Sequence, residues 1–311
     1  MPAIISYHTK DNDIGRTVGQ ILRNHFGMSA GVLKDLKQRN KIFLNQEPCR
    51  SIDVVKENEI ICADVSEDLM EPGNIAPFKG KLDILYEDEF ILAVNKPGGI
   101  ESHPCASNRN STLANIIMYH WAQKGEKHNY HIVNRLDKGT SGICIIAKNP
   151  FTHGCLSRQT KDGILKKYYS ALVHGNVENK NGEINLPIGR CDGSIIKREV
   201  RPDGKSADTV YEVISSDSDC SLLKIFLRTG RTHQIRVHFS TVGHPLFGDW
   251  LYGNGDNERE LIERHALHAK TIELYHPATK EHMVFDTELP ADMKNLLRSK
   301  HISAKILNTI K

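Results

Sequence analysis

No uninterrupted apolar run in the 311-residue chain approaches the roughly 20 residues of a membrane span, so no transmembrane helix is expected. Met1 to Arg16 also lacks the hydrophobic stretch of a secretory signal. The seven cysteines, Cys49, Cys62, Cys105, Cys144, Cys155, Cys191 and Cys220, show no Cys-x-x-Cys spacing, and several lie in apolar segments. That usage fits free thiols in a reducing compartment, and the expected location is cytoplasmic. An excess of charge of one sign is missing too: 41 Lys and Arg against 38 Asp and Glu leave +3, too little to indicate nucleic acid by itself. No His-Glu-x-x-His pattern, internal repeat or low-complexity tract is present.

What charge there is comes in clusters. Lys34, Lys37, Arg39 and Lys41 crowd one predicted helix end, and Lys148, Arg158, Lys161, Lys166 and Lys167 are expected to crowd the site argued below. Such clusters are the electrostatic footprint of phosphate binding, although a solvated charged face explains any one of them as well.

With 39% hydrophobic residues the chain can bury one large core and a small second one, which suggests two domains. In residues 1–66, Val18, Ile21 and Leu22 recur at helical spacing, and Ser29 caps a helix bearing Val32, Leu33 and Leu36. Ile42–Leu44, a turn at Asn45-Gln46 and Ile60–Val65 follow as strands. Residues 67–81 turn acidic and then Pro- and Gly-rich, which reads as a linker isolating the core that follows. Residues 82–298 are mainly strands, with helices expected at 112–121, capped by Ser111, and at 150–161. Few helices among many strands indicate an α+β domain around a largely antiparallel sheet. Residues 299–311 are a terminal tail.

Chemistry concentrates in ordered segments of the second domain. Asn134-Arg-Leu-Asp-Lys-Gly-Thr-Ser-Gly142 places the carboxylate of Asp137 on a loop between two short apolar strands. Leu227-Arg-Thr-Gly-Arg-Thr-His-Gln-Ile-Arg-Val-His238 starts a helix or a bent strand and offers Arg231 and Arg236, either of which can keep a half-buried Asp ionised. His233 and His238 invite a metal reading, but no third ligand is signalled nearby. Leu165 to Gly175 alternates as a strand, so only one of Tyr168 and Tyr169 can face a site. Gly243-His-Pro-Leu-Phe-Gly-Asp-Trp-Leu-Tyr-Gly253 and Arg264 to Ala269 are turn-rich, apolar stretches that read as architecture, with Ala266, Leu267 and Leu274 in core strands.

Taken together with Leu82 to Gly99 and His103-Pro104, these segments resemble the RluA-type RNA pseudouridine synthases over about residues 82 to 293. The resemblance implies that Asp137 of Arg-Leu-Asp is the catalytic carboxylate and that Arg236 of Gln-Ile-Arg pairs with it. It also implies that Tyr169 stacks on an extruded uracil and accepts a proton, that Arg135 fills the space the base leaves, and that Leu267 walls the uracil pocket. Lys167 and Arg231 fall on the family's substrate-binding side. One departure is Asn134, where the family usually carries His; Asn can donate and accept a hydrogen bond but cannot be protonated.

Residues 1–66 resemble the RNA-binding domain of ribosomal protein S-four type, with Lys34, Lys37, Arg39 and Lys41 as its RNA contacts. The function implied is isomerisation of uridines in structured RNA, ribosomal or transfer, by a monomer without cofactor or metal. Two rivals stand beside it. A non-catalytic RNA-binding or ribosome-assembly protein would not require an Asp, a Tyr and an Arg together, and a glycoside hydrolase would need a second carboxylate at a suitable distance from Asp137.

Overall fold

The computed structural model describes residues 2–67, 75–106 and 108–300. Much of the expected linker and nearly all of the tail lie outside the described residues. The first unit comprises β1 (Ile4–His8), α1 (Val18–His25), α2 (Ala30–Gln38), β2 (Ile42–Leu44), β3 (Glu47–Pro48) and β4 (Ile60–Asp64). Its four strands form one sheet in the order β1-β4-β2-β3. Thr17 starts α1 by accepting the Gln20 N–H, and Ser29 starts α2 by accepting that of Val32, as its sequence position suggested. β1 was not foreseen; it pairs antiparallel with β4 and buries Ile5.

The second unit contains β5 (Ile84–Glu87), β6 (Ile91–Lys96), α3 (Leu113–Gln123), β7 (His131–Ile132), β8 (Ser141–Ala147), α4 (Pro150–Lys161) and β9 (Lys166–His174). It continues through β10 (Asn181–Asn185), β11 (Ile188–Arg190), β12 (Arg198–Val200), β13 (Asp208–Ser216), β14 (Cys220–Leu227), α5 (Gln234–Thr241), β15 (Leu267–Tyr275), β16 (His282–Asp286) and α6 (Ala291–Ser299). The large sheet runs β10-β13-β14-β9-β15-β8-β6-β5, with β16 beside β15 and β7 beside β8, while β11 and β12 form a separate arm. Among the described residues every strand pairing is antiparallel except that of β15 with β8. The expected α+β architecture with a largely antiparallel sheet is what is found.

At the parallel junction Gly142 has φ +112°, and a Cβ there would lie 2.2 Å from the Ala269 carbonyl oxygen, so only glycine fits. All of β8 is buried, as expected of a strand covered on both faces. α3 begins one residue later than Ser111 predicted: Thr112 is the N-cap, and the Asn115 side chain accepts its backbone N–H.

Two expectations about the frame are corrected. The first unit is not isolated, because its core is continuous with that of the second. Phe26 meets Phe151 of α4 edge-on, with ring centroids 6.4 Å apart, the Cys155 thiol donates to the Phe26 carbonyl, and Arg158 donates to that of Gly27 at 2.7 Å. The second cation cluster also disperses. Lys148 is buried in ion pairs with Glu87 and Glu126, Arg158 is spent on the contact just described, and Lys166 reaches Glu273. In the first cluster Lys34 and Lys37 are exposed on α2, whereas Arg39 pairs with Asp35 and Lys41 with Asp64.

Candidate active site

The Asp137 loop is fixed by bonds from three neighbouring segments before any ligand arrives. Asn134 donates to the Ile143 carbonyl and accepts the Ile145 N–H, both at 2.8 Å, which sews the loop to β8. The substitution of Asn for the family's usual His therefore supplies a two-way bond to backbone that needs no protonation. Ser102 Oγ donates to the Leu136 carbonyl at 2.7 Å and accepts the Leu136 N–H. On the far side of the carboxylate, Lys96 donates to the carbonyls of Pro97, Ile100 and Lys138. Lys96 is wholly buried, and that burial lowers its pKa to about 8.

Arg236 comes from the first turn of α5, and the loop ahead of it is shaped by Gln234. The Gln234 side chain accepts from the Thr229 hydroxyl and the Arg231 N–H while donating to the Asp208 carbonyl and Thr209. The chain passes through His233 in the left-handed region, at φ 59°, and enters the helix. The segment is therefore a strand, a loop and a helix in sequence, which resolves the choice between helix and bent strand.

Arg236 is 4% exposed and serves two carboxylates. It grips Asp249 with Nε and Nη2, at 2.7 and 2.8 Å, and donates through Nη1 to Asp137 at 3.3 Å. Burial works against its charge, but Asp249 and then Asp137 outweigh that and hold its pKa above the ordinary value. The Tyr252 ring lies under the guanidinium, 5.0 Å from centroid to Cζ. Asp249, itself fully buried, also accepts the N–H groups of Leu251 and Tyr252. The stretch 243–253 is thus not architecture alone: it delivers the anchor of Arg236. Its signal was a carboxylate between Gly248 and Trp250, hidden among apolar residues.

A small cleft of about 70 Å³ is lined by the expected Arg135, Asp137, Tyr169, Arg231, Arg236 and Leu267, together with Leu136, which was not singled out in the sequence. Asp137 keeps 30% of its side chain exposed. Of the two tyrosines, Tyr169 is buried toward the cleft, and burial, with Asp137 adding to it, pushes its phenol above the ordinary range. Tyr168 points the other way, against Phe226 and below the Lys224 ammonium. Lys167 shares the Tyr169 side of β9 but lies against Gly230 rather than lining the cleft, and burial lowers its pKa. Arg231 is exposed and donates to the Ser206 carbonyl.

The two histidines part company. His238 is buried between Thr209 and the Leu186 carbonyl, whereas His233 places Nδ1 on the Tyr252 hydroxyl at 2.9 Å and Nε2 3.7 Å from Asp137. Burial lowers the pKa of both. Among the described residues no group of three or more His, Cys, Asp or Glu is placed to hold a metal.

A carboxylate presented to a half-open cleft by a rigid loop, held against a buried arginine and beside a buried tyrosine, is an arrangement that can do acid-base or nucleophilic work. Comparison with known proteins gives the class. Residues 90–241 match the RNA pseudouridylate synthase family. The chain is 39% identical over 287 residues to the uncharacterized RNA pseudouridine synthase YhcT of Bacillus subtilis, covering 92% of this chain and 93% of that one. It is 36% identical over 260 residues to ribosomal large subunit pseudouridine synthase D of Zymomonas mobilis, covering 80% and 82%. The structure of human RNA pseudouridylate synthase domain containing 1 superposes with a TM-score of 0.57 at 25% identity, over 75% of this chain and 98% of that one. The chain belongs to the RNA pseudouridylate synthase family.

Proposed function

We propose that the protein isomerises specific uridines in structured RNA, ribosomal RNA foremost, with Asp137 as the catalytic carboxylate. The observation that carries this reading is Asp137 facing the cleft within hydrogen-bond reach of Arg236, which Asp249 holds in place. The likeness to a ribosomal large subunit synthase over four-fifths of the chain supports ribosomal RNA as substrate. We assign the protein to the cytoplasm as a monomer. Residues 1–66, read as an S-four-like RNA-binding unit, add affinity through Lys34 and Lys37.

Isomerisation breaks the bond from sugar to base nitrogen, turns the captured uracil and joins its carbon 5 to the sugar. The atoms are conserved within one nucleotide, so no redox partner is required. Asp137 either attacks the anomeric carbon or removes the 2′ proton; in both its carboxylate acts beside the Arg236 guanidinium, which donates to it at 3.3 Å. Tyr169 lines the cleft with a ring on which the uracil stacks, and we assign its hydroxyl a part in the later proton transfer from carbon 5. Arg135, exposed at the mouth of the cleft, fills the gap left by the extruded base.

The test is incubation of the full chain with ribosomal RNA from cells lacking the gene, followed by mapping of pseudouridine. A new site made by the wild type and not by Asp137→Asn is the expected result. RNA binding without modification would favour the binding protein, and release of free uracil would favour a hydrolase.

A further inference from the structure

We propose that Arg264, in a stretch whose sequence reads as architecture, is a positioning residue for the reaction: together with Asp292 of α6 it sets where Asp137 stands relative to Arg236. The proposal rests on the uridine-isomerising function above and adds to it a residue that stands outside the lining of the Asp137 cleft.

One guanidinium joins α6 to the Asp137 loop. Nε and Nη2 of Arg264 hold Asp292 in a two-pronged ion pair, at 2.7 and 3.0 Å, while Nη1 donates to the Gly139 carbonyl at 2.8 Å. Nη1 also reaches the carbonyls of His265 and Leu267, which fixes the shape of its own segment. Gly139 lies two residues beyond Asp137, and the next loop residue is held from the same segment, because the Thr140 hydroxyl meets His265 Nε2 at 2.7 Å. The Thr140 N–H in turn donates to the Asp137 carbonyl at 3.1 Å. A charged donor on a carbonyl makes one of the stronger hydrogen bonds, and a guanidinium gripped by a carboxylate cannot turn away without breaking that pair. Nor has the side chain room to turn. It is 12% exposed and passes over Gly98, where a Cβ would lie 2.5 Å from its Cδ.

The same segment backs onto the other half of the site. Gly248, the neighbour of the Asp249 that grips Arg236, has φ +69°, and a Cβ there would lie 2.2 Å from the Arg264 carbonyl oxygen. The Ala266 N–H donates to the Phe247 carbonyl at 2.8 Å. Residues 264–266 are therefore a spacer in contact with the Asp137 loop and with the Asp249 turn at once. Helix α6 supplies the fixed end, since Met293, Leu296 and Leu297 are buried in one cluster with Phe247, Ile262 and Ala266. A shift of this spacer alters the 3.3 Å contact between Arg236 and Asp137. Misplacing a reacting group by about 1 Å costs on the order of 10²-fold in rate.

The experiment uses the full chain with Asp292→Asn and, separately, Arg264→Gln. Asp292→Asn keeps the shape of a half-exposed side chain and removes the charge that holds Arg264. The first readout is single-turnover modification of ribosomal RNA from cells lacking the gene, with enzyme in excess, which gives a saturating rate constant and a half-saturating enzyme concentration. A residue that only stabilised the fold would leave the saturating rate constant of the folded molecules unchanged. In both variants that constant should instead fall on the order of 10²-fold, with the half-saturating concentration as in wild type. The second readout needs no activity: amide hydrogen exchange in residues 134–142 should quicken while β6 and β14 exchange as in wild type. A wild-type rate constant in Asp292→Asn would overturn the proposal, and so would faster exchange spread through the whole molecule. Should Arg264→Gln fail to fold, Asp292→Asn carries both measurements. A wild type that makes no pseudouridine would sink the proposed function, while exchange in residues 134–142 would still decide whether Arg264 and Asp292 hold the Asp137 loop.

Discussion

Asp137, Arg236 and Asp249 form a chain of charge in which the outer two carboxylates hold one guanidinium, and each link predicts a different failure. Asp137→Asn is nearly isosteric, so RNA affinity should change little while turnover falls by at least the roughly 10²–10⁴-fold associated with a positioned acid-base group. Asp249→Ala strikes the fold as well. It leaves a 4%-exposed Arg236 without its two-pronged partner, and breaking such a buried pair costs about 3–5 kcal/mol. Urea unfolding should show that loss, and any folded fraction should be nearly inactive because the arginine no longer faces Asp137. Stability within about 1 kcal/mol of the parent would mean that Asp137 alone suffices to hold Arg236. Tyr169→Phe should keep the stacking surface yet slow turnover by about 10²-fold. Tyr169→Ala should additionally weaken capture of the base by about 1–3 kcal/mol, and Tyr168 should tolerate both changes better.

At the level of elements, the sequence was most legible where periodicity and local chemistry agree. The alternation of β9 left one tyrosine on each face, and the side facing Asp137 is the Tyr169 side. Helix α2 began at its serine cap, and the loop of Arg-Leu-Asp fell between β7 and β8. Other features depend on neighbours distant in sequence and had no local mark. Asp249 reads as a turn residue until Arg236, 13 positions earlier, is folded against it. Lys148 reads as a surface cation until Glu87 and Glu126 enclose it. Gly142 is a further case, because only the parallel neighbour β15 reveals why a side chain is forbidden there. Gly142→Ala would drive a Cβ into the Ala269 backbone at a φ that L residues avoid. We expect that variant to lose the β8–β15 junction and fold poorly; a soluble Gly142→Ala protein with wild-type melting would contradict the assigned register.

At the scale of the whole molecule, buried neutral histidines set its response to acid and a shared core sets its response to truncation. His265, bonded to Thr140, and His268, bonded to Ser141 and Thr287, are both nearly inaccessible. Burial is the main cause in each case; it holds the pKa of His265 well below the ordinary value and that of His268 at about 3. A depressed pKa in the folded state means stability that is full above the unfolded value near 6.5 and is lost as pH falls toward the folded value. Between about pH 7 and pH 5 His268 should therefore cost about 2 kcal/mol, before most carboxylates titrate, and His265 acts in the same direction. Urea midpoints should fall over that window, and His268→Gln should flatten the fall; an unchanged pH slope in that variant would show that His268 is not the cause.

The first unit poses the last question, since the shared core and the exposed lysines lead to different expectations. A chain beginning at Lys81 would uncover Phe90, Phe151 and Cys155, which now lie in one cluster with Ile21, Phe26 and Met28 of the first unit. Losing that apolar cover should lower melting and solubility, so truncation confounds RNA binding with folding. Lys34 and Lys37 offer a cleaner probe: they are exposed at i and i+3 on one face of α2, while Arg39 and Lys41 are engaged with Asp35 and Asp64. Lys34→Ala/Lys37→Ala in the full chain should melt like the parent. If this face binds RNA, the slope of log affinity against log salt should drop by about 0.7 per phosphate on single strands, and more of the natural RNA should be needed for half-maximal modification. Equal slopes and equal modification of ribosomal RNA would make the first unit a structural cover for α4 and leave RNA capture to the catalytic unit alone.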